Sequence, residues 1–253
     1  YGVSYNSYLI DDEMVALVDT VDICYFEVYL RKIKQVIGER PINYLIINHM
    51  EPDHSGSIRL IKQHYPEIII VGNKQTFGMI EGFYGVTGEQ YLVKEGDFLA
   101  LGHHKLRFYM TPMVHWPETM MTFDETDGVL FSGDGFGCFG TVDGGFLDTR
   151  INVDKYWGEM VRYYSNIVGK YGSPVQKALQ KLGGLPISAI CSTHGPVWTE
   201  NIAKVIGIYD RLSRYDADEG VVIAYGSMYG NTEQMAEAIA EELSAQGVKI
   251  IVM

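Results

Sequence analysis

The chain has 253 residues, enough for one large domain and part of another, or for two small domains. Its apolar fraction of 47% describes a packed core, and no run approaches the roughly 18 apolar residues of a membrane span. A formal charge of −12, with no Lys/Arg cluster to offset it, counts against non-specific nucleic-acid binding.

The three cysteines, Cys24, Cys138 and Cys191, are far apart and form no C-x-x-C pair. Neither a disulfide framework nor a thiolate zinc site is indicated, and a reducing cytosol is the natural compartment. The chain begins at Tyr1 without a signal-peptide pattern and stops at Met253 within an apolar run, so both ends are expected to be trimmed.

In chain order, residues 5–10 and 14–19 read as two strands joined by a tight turn at Asp11-Asp12. Residues 21–37 have helical spacing with Gly38 as the cap. The apolar run 44–48 is a buried strand that delivers His49-Met50-Glu51-Pro52-Asp53-His54. Pro52 rules out a strand or helix interior, so this is a loop leading into a helix. A helix over 57–64, a strand over 68–71, a helix over 76–83 and a strand over 90–93 follow. From Phe98 the pattern turns strand-rich, with strands over 105–110, 120–124 and 128–132. Helices over 154–168 and 175–182, a strand over 187–191 and a helix over 201–213 complete this part. Two mixed halves of this kind predict stacked sheets covered by helices on both outer faces.

Residues 214–219 are polar and read as a linker. After them come a strand over 221–225, a glycine-bracketed loop over 226–231, a helix over 232–245 ended by Gly247, and a strand over 249–253. That is the opening βαβ of a doubly wound domain. The expected division is therefore 1–213, 214–219 and 220–253.

Four contexts carry potential metal ligands at strand ends beside Gly or Pro, where backbone freedom lets a side chain be aimed. The loop 49–54 is the first. His115 follows Met113-Val114, Asp134 sits in Gly133-Asp134-Gly135, and His194 in Thr193-His194-Gly195-Pro196. The set comprises His49, His54, His115 and His194 with Glu51, Asp53 and Asp134, and no cysteine. Seven candidates exceed one four-coordinate ion but suit two ions about 3.5 Å apart bridged by a carboxylate. Imidazole plus carboxylate suits non-haem iron, with zinc or manganese as alternatives. His64, His103 and His104 read as surface residues.

His49-x-Glu51-x-Asp53-His54, then His115, Asp134 and His194, resembles the metallo-β-lactamase superfamily. Most hydrolases of that superfamily carry His at the position of Glu51. Glu there, with His115-Trp116-Pro117-Glu118-Thr119-Met120, resembles the flavodiiron proteins (A-type flavoproteins). The resemblance covers nearly the whole chain. It implies an α/β architecture: a metallo-β-lactamase-like αββα sandwich, then the truncated start of a flavodoxin-like doubly wound domain. It also implies a non-haem diiron site, with His49, Glu51 and His115 on one iron and Asp53, His54 and His194 on the other. Asp134 would bridge them, and in some sites of the family the His at position 54 swings away from the metal.

Gly226-Ser227-Met228-Tyr229-Gly230-Asn231-Thr232, between a strand and a helix, resembles the flavodoxin loop that holds the FMN phosphate. Backbone N–H groups, the Ser227 and Thr232 hydroxyls and a helix N-terminus are the groups such an anion needs. The loops that would cover the flavin ring lie beyond Met253, and roughly 140 further residues, a typical domain length, are expected.

The resemblance implies an oxidoreductase in which FMN feeds the two irons, which reduce O2 to water, NO to N2O, or both. It further implies a rubredoxin-like or other electron donor and a head-to-tail homodimer or dimer of dimers. FMN of one chain would meet the iron site of the other near Trp116 and Glu51. Tyr5 and the 136–139 loop are expected to line the substrate pocket. The alternatives are a dinuclear zinc hydrolase on the same scaffold and a non-catalytic partner-binding fragment; no nucleic acid or membrane partner is expected.

Overall fold

The computed structural model describes residues 2–142 and 144–253. They fall into two compact units, Tyr1–Tyr215 and Asp216–Met253.

In the first unit, two five-stranded sheets stack face to face. β1 (Tyr8–Ile10) runs antiparallel to β2 (Ala16–Val18), and β3 (Tyr44–Ile46), β4 (Ile69–Gly72) and β5 (Gln90–Leu92) continue in parallel, in chain order. The parallel strands need crossovers, supplied by α1 (Phe26–Ile37), the short α2 (Pro52–Ser55), α3 (Ile58–His64) and α4 (Lys74–Tyr84). The second sheet is an antiparallel meander of β6 (Phe98–Ala100), β7 (Lys105–Met110), β8 (Met120–Asp124) and β9 (Val129–Gly133), with β10 (Ala189–Ser192) parallel to β9. Its outer face is covered by α5 (Asp154–Tyr163), α6 (Gly172–Leu182) and α7 (Ile202–Ser213).

Hydrophobic spacing explains each layer. α1 buries Phe26, Tyr29, Leu30, Ile33 and Ile37, a stripe at i, i+3, i+4, i+7 and i+11 that packs on Leu17, Leu45 and Ile47. Between the sheets, Val18, Ile46 and Val71 meet Leu106, Phe108 and Phe131. β2 is buried along its whole length, as a strand covered on both faces must be.

The expected strands and helices are present; the helix expected from residue 21 begins at Phe26, after a 3-10 turn over Ile23–Tyr25, and three further differences stand out. The loop 49–54 is not all loop: Pro52 occupies the first position of the one-turn α2, where its missing N–H is harmless. The helix expected over 154–168 ends at Tyr163 and continues as a π-turn over Tyr164–Val168. There Ser165 Oγ donates to the Val161 carbonyl at 2.8 Å and Asn166 Nδ2 to the Arg162 carbonyl at 2.7 Å, side-chain bonds that compete with the regular ladder. β6 was not expected, because Phe98-Leu99-Ala100 is short and only Leu99 is buried.

The second unit is described by itself. β11 (Val221–Ile223) and β12 (Ile250–Val252) pair in parallel, and α8 (Asn231–Ala245) connects them, as a βαβ reading requires.

Asp148 fixes the approach to α7. Its carboxylate accepts from Thr199 N (3.0 Å), Thr199 Oγ1 (2.6 Å), Glu200 N (3.1 Å), Asn201 N (3.0 Å) and Asn201 Nδ2 (2.9 Å). Burial alone would push this carboxyl up, but the hydrogen bonds from Thr199 and Asn201 outweigh it and hold it below the usual range. A depressed carboxyl contributes stability above its unfolded value, about 3.9, and loses it as pH falls through the folded value. The stability difference between the parent and Asp148→Asn is therefore expected to narrow in urea titrations as pH drops below about 4. A difference independent of pH would contradict this.

Candidate metal centre

The seven expected ligands come from four strand ends. His49 follows β3, and Glu51, Asp53 and His54 enter on the turn and α2. His115 stands in the β7–β8 loop, Asp134 follows β9, and His194 follows β10. The structure brings all of them together as His49, Glu51, His115 and Asp134, and as Asp53, His54 and His194, each group with ligand atoms within 4.8 Å of one another.

In the first group His115 Nε2 lies 3.0 Å from both Glu51 Oε2 and Asp134 Oδ2, and His49 Nε2 lies 3.4 Å from Glu51 Oε2 and 3.3 Å from His115 Nε2. In the second, Asp53 Oδ2 is 3.4 Å from both His54 Nε2 and His194 Nε2. Asp134 links the two. Its Oδ2 belongs to the first group, while its Oδ1 is 3.0 Å from His54 Nε2 and 3.7 Å from His194 Nε2. His54 is turned into the cluster rather than away from it.

The residues fit a pair of cations. His54 is fully buried, yet its Nδ1 lacks a hydrogen-bond partner among the described residues, as does Asp53 Oδ1, and its Nε2 has the Asp134 and Asp53 carboxylates near it. Such buried orphans are costly unless another ligand satisfies them. Burial would lower the His49 pKa, but Asp134, Glu118 and Glu51 raise it to about 10. Hydrogen bonds from His115 and His49 hold Glu51 at about 2. Burial pushes Asp134 up, and His54 and His49 beside it more than reverse this, so its carboxyl lies well below the usual range. Glu51 and Asp134 are thus anionic donors, in a field that favours positive charge.

Several supporting residues had no role in the sequence reading. Fully buried Glu118 accepts the Met50 N–H at 2.8 Å and pairs with His49 Nδ1 at 2.9 Å, which aims His49 Nε2 inward. Asp19 Oδ1 accepts from Asn48 N at 2.8 Å and His49 N at 3.3 Å. Thr193 Oγ1 donates to Asp134 Oδ1 at 2.6 Å, and His194 Nδ1 donates to the Ser4 carbonyl at 2.7 Å. The buried Tyr163 ring lies 5.6 Å from His194, and its phenol is pushed well up by burial and by Asp134. Asp19 had a signal, since it ends a buried strand as Asp134 does; Tyr163 is one of 18 tyrosines and had none.

Trp116 is half-buried, with its ring centroid 5.3 Å from His49 and 6.2 Å from His115. Tyr5 stands 5.9 Å from His194 and also lines a groove of about 700 Å³ with Tyr25 and Tyr29. Of the 136–139 loop, Phe139 reaches Tyr163 at 5.0 Å, whereas Phe136 packs into the core against Tyr209. His64 and His103 are exposed as expected, but His104 is half-buried and paired with Asp12.

The expected phosphate loop joins β11 to α8. Gly230 has φ +83°, donates its N–H to Ser227 Oγ at 2.9 Å and precedes Asn231, the first residue of α8. Met228 and Tyr229 are each 85% exposed, so nothing in this unit covers the loop.

Residues 3–195 match the ODP family beta lactamase and residues 223–253 match the flavodoxin family. The chain belongs to the flavodiiron protein family. The flavodiiron protein of Giardia intestinalis has a structure similar to it, with a TM-score of 0.93 and 29% identity over 100% of this chain and 62% of that one. Rubredoxin oxygen:oxidoreductase of Desulfovibrio gigas gives a TM-score of 0.94 at 32% identity, covering 100% of this chain and 64% of the other. The anaerobic nitric oxide reductase flavorubredoxin of Shigella dysenteriae is 32% identical over 99% of this chain and 53% of its own length. The chain thus spans about half the length of that curated relative. Among the described residues, no helix is long and apolar enough to cross a membrane.

Glu118→Gln keeps the side chain's size but removes the negative charge behind His49. Metal affinity, measured by competition with a chelator, is expected to fall about 10–100-fold. Unchanged affinity would show that Glu118 does not orient the ligand.

Proposed function

We propose that this chain is the diiron part, with the beginning of the FMN domain, of an oxidoreductase that reduces O2 to water, NO to N2O, or both. The observation that carries the reading is Asp134, a buried carboxylate with one oxygen turned to each ligand group. His49, Glu51 and His115 would hold one iron, Asp53, His54 and His194 the other, and Asp134 would join them. A ferrous pair held by these residues would supply two electrons at one place, with FMN as the source that replenishes them.

The chain's own residues prepare that chemistry. Glu118 and the Ser4 carbonyl fix the tautomers of His49 and His194 so that each Nε2 faces inward. The phenol of Tyr163, kept protonated beside Asp134, is a hydroxyl donor at the edge of the site. Glu51 and Trp116 are partly exposed, as is Asp53, and the first two support a reading in which the flavin of a second chain approaches from their side. On that reading the whole protein works as a head-to-tail dimer or dimer of dimers in the cytosol, fed by a rubredoxin-like or other donor.

Residues 1–213 would form the iron domain, 214–219 a linker, and 220–253 the start of the FMN domain. Within it, Ser227, Met228, Tyr229, Gly230, Asn231 and Thr232 would surround the FMN phosphate. An exposed loop with hydroxyl side chains before a helix of this length supports that assignment.

The test is a single turnover of the iron-loaded chain, chemically reduced and then mixed anaerobically with NO. Two NO, two electrons and two protons give one N2O and one water, so about one N2O per iron pair is expected. A parallel mixture with O2 is expected to oxidise the irons. His115→Ala and Asp134→Ala should lose the paired iron and both reactions. Turnover retained in both variants, or thioester hydrolysis by a zinc form with neither gas consumed, would overturn the reading.

A further inference from the structure

A second group of side chains that could hold a metal ion, His104, Asp124 and Asp127, lies at the opposite rim of the same sandwich. β2 and β9 lead into Asp19 and Asp134 at their C-terminal ends, so the turns that precede those strands, at Asp12 and Asp127, face away from the iron ligands. His104, just before β7, and Asp124, at the end of β8, come to that same rim, because β7, β8 and β9 alternate in direction.

His104 Nε2 is 3.4 Å from Asp127 Oδ2 and 4.0 Å from Asp124 Oδ2, and one ligand atom from each residue lies within 4.8 Å of the others. Charge-assisted N–H···O bonds draw in to about 2.7–2.9 Å, so these separations are long for direct pairing. A tetrahedron with metal bonds of about 2.0–2.1 Å has edges of about 3.4 Å. In the candidate centre the imidazole–carboxylate separations run from 3.0 to 3.7 Å, a range that includes the His104–Asp127 distance, with Asp124 just beyond it.

Asp124 supplies an independent sign. It is 3% exposed, and its Oδ1 accepts the Thr126 N–H at 3.0 Å. Its Oδ2 is on the side of His104, 4.0 Å from Nε2.

The other side of the imidazole is already fixed. Asp12 Oδ2 is 2.7 Å from His104 Nδ1 and accepts the His104 N–H at 2.7 Å. Asp12 Oδ1 accepts from Glu13 N at 2.7 Å and His103 N at 3.2 Å. A Cβ on Gly102, at φ +130°, would meet Asp12 Oδ1 at 2.8 Å, so glycine is what lets the two turns close. With Asp12 holding Nδ1–H, Nε2 faces Asp124 and Asp127; burial lowers the imidazole's pKa but the three carboxylates raise it, and a metal ion there would take the place of the Nε2 proton, as in a carboxylate–histidine–metal triad.

We propose that His104 Nε2, Asp124 Oδ2 and Asp127 Oδ2 bind one zinc ion, with water at the fourth position. The imidazole disfavours calcium and magnesium, which prefer all-oxygen shells. Held there, the ion staples the β6–β7 and β8–β9 turns, and through Asp12 the β1–β2 turn of the other sheet. Its role is structural, separate from the iron chemistry.

The test uses the iron-loaded chain, whose first site is filled, equilibrated with Zn²⁺ at neutral pH and compared with His104→Gln and Asp127→Asn. Metal analysis and thermal unfolding are read together. The parent is expected to bind one zinc more than His104→Gln, and zinc is expected to raise its melting temperature. Asp127→Asn, in an exposed turn, should fold normally and bind zinc at least about tenfold more weakly. Equal zinc in all three proteins, or no zinc-dependent shift in the parent, would mean that His104 is a protonated partner of the carboxylates and would overturn the proposal.

Discussion

Asp134 is the constraint around which the first unit is arranged. It is a carboxylate only 2% exposed, with further carboxylates from Glu51 and Asp53 beside it. Burying negative charge is costly unless it is paired and hydrogen-bonded. Four imidazoles and the Thr193 hydroxyl supply part of that pairing. What they leave unsatisfied, at His54 Nδ1 and Asp53 Oδ1, marks a site that is incomplete without further partners.

The fold meets this constraint by using both sheets. β3 and its following turn deliver four ligands from the first sheet, and β9 and β10 deliver Asp134 and His194 from the second. The apolar layer between the sheets fixes the distance between those strand ends. Glu118 then ties the β7–β8 loop to the His49 segment, and Asp19 ties the end of β2 to the same backbone. Ligand position therefore depends on packing several residues away. The opposite rim repeats the device on a smaller scale, with Asp12 orienting His104 as Glu118 orients His49.

Much of this was legible in the sequence. Buried strands show as apolar runs, so the strands that carry His49, Asp134 and His194 could be placed, and a ligand-type residue after each run was the signal. Glu51 in place of a histidine separated the family from its hydrolase relatives. What could not be read was the second layer of contacts. Glu118 lies next to Pro117 in a loop, and its role appears only when the loop folds back onto Met50. Tyr163 reaches the site from the last position of α5, 31 residues from His194 in sequence, and nothing local ties the two. His104 read as part of a hydrophilic turn because nothing local ties it to Asp12, which is 92 residues away.

The most direct measurement is anomalous diffraction at the iron edge from crystals of the iron-loaded chain. Two peaks about 3.5 Å apart are expected. One should lie within bonding distance of Asp134 Oδ2 with His49, Glu51 and His115, and the other of Asp134 Oδ1 with Asp53, His54 and His194. A single peak, or two peaks that do not share Asp134, would contradict the account.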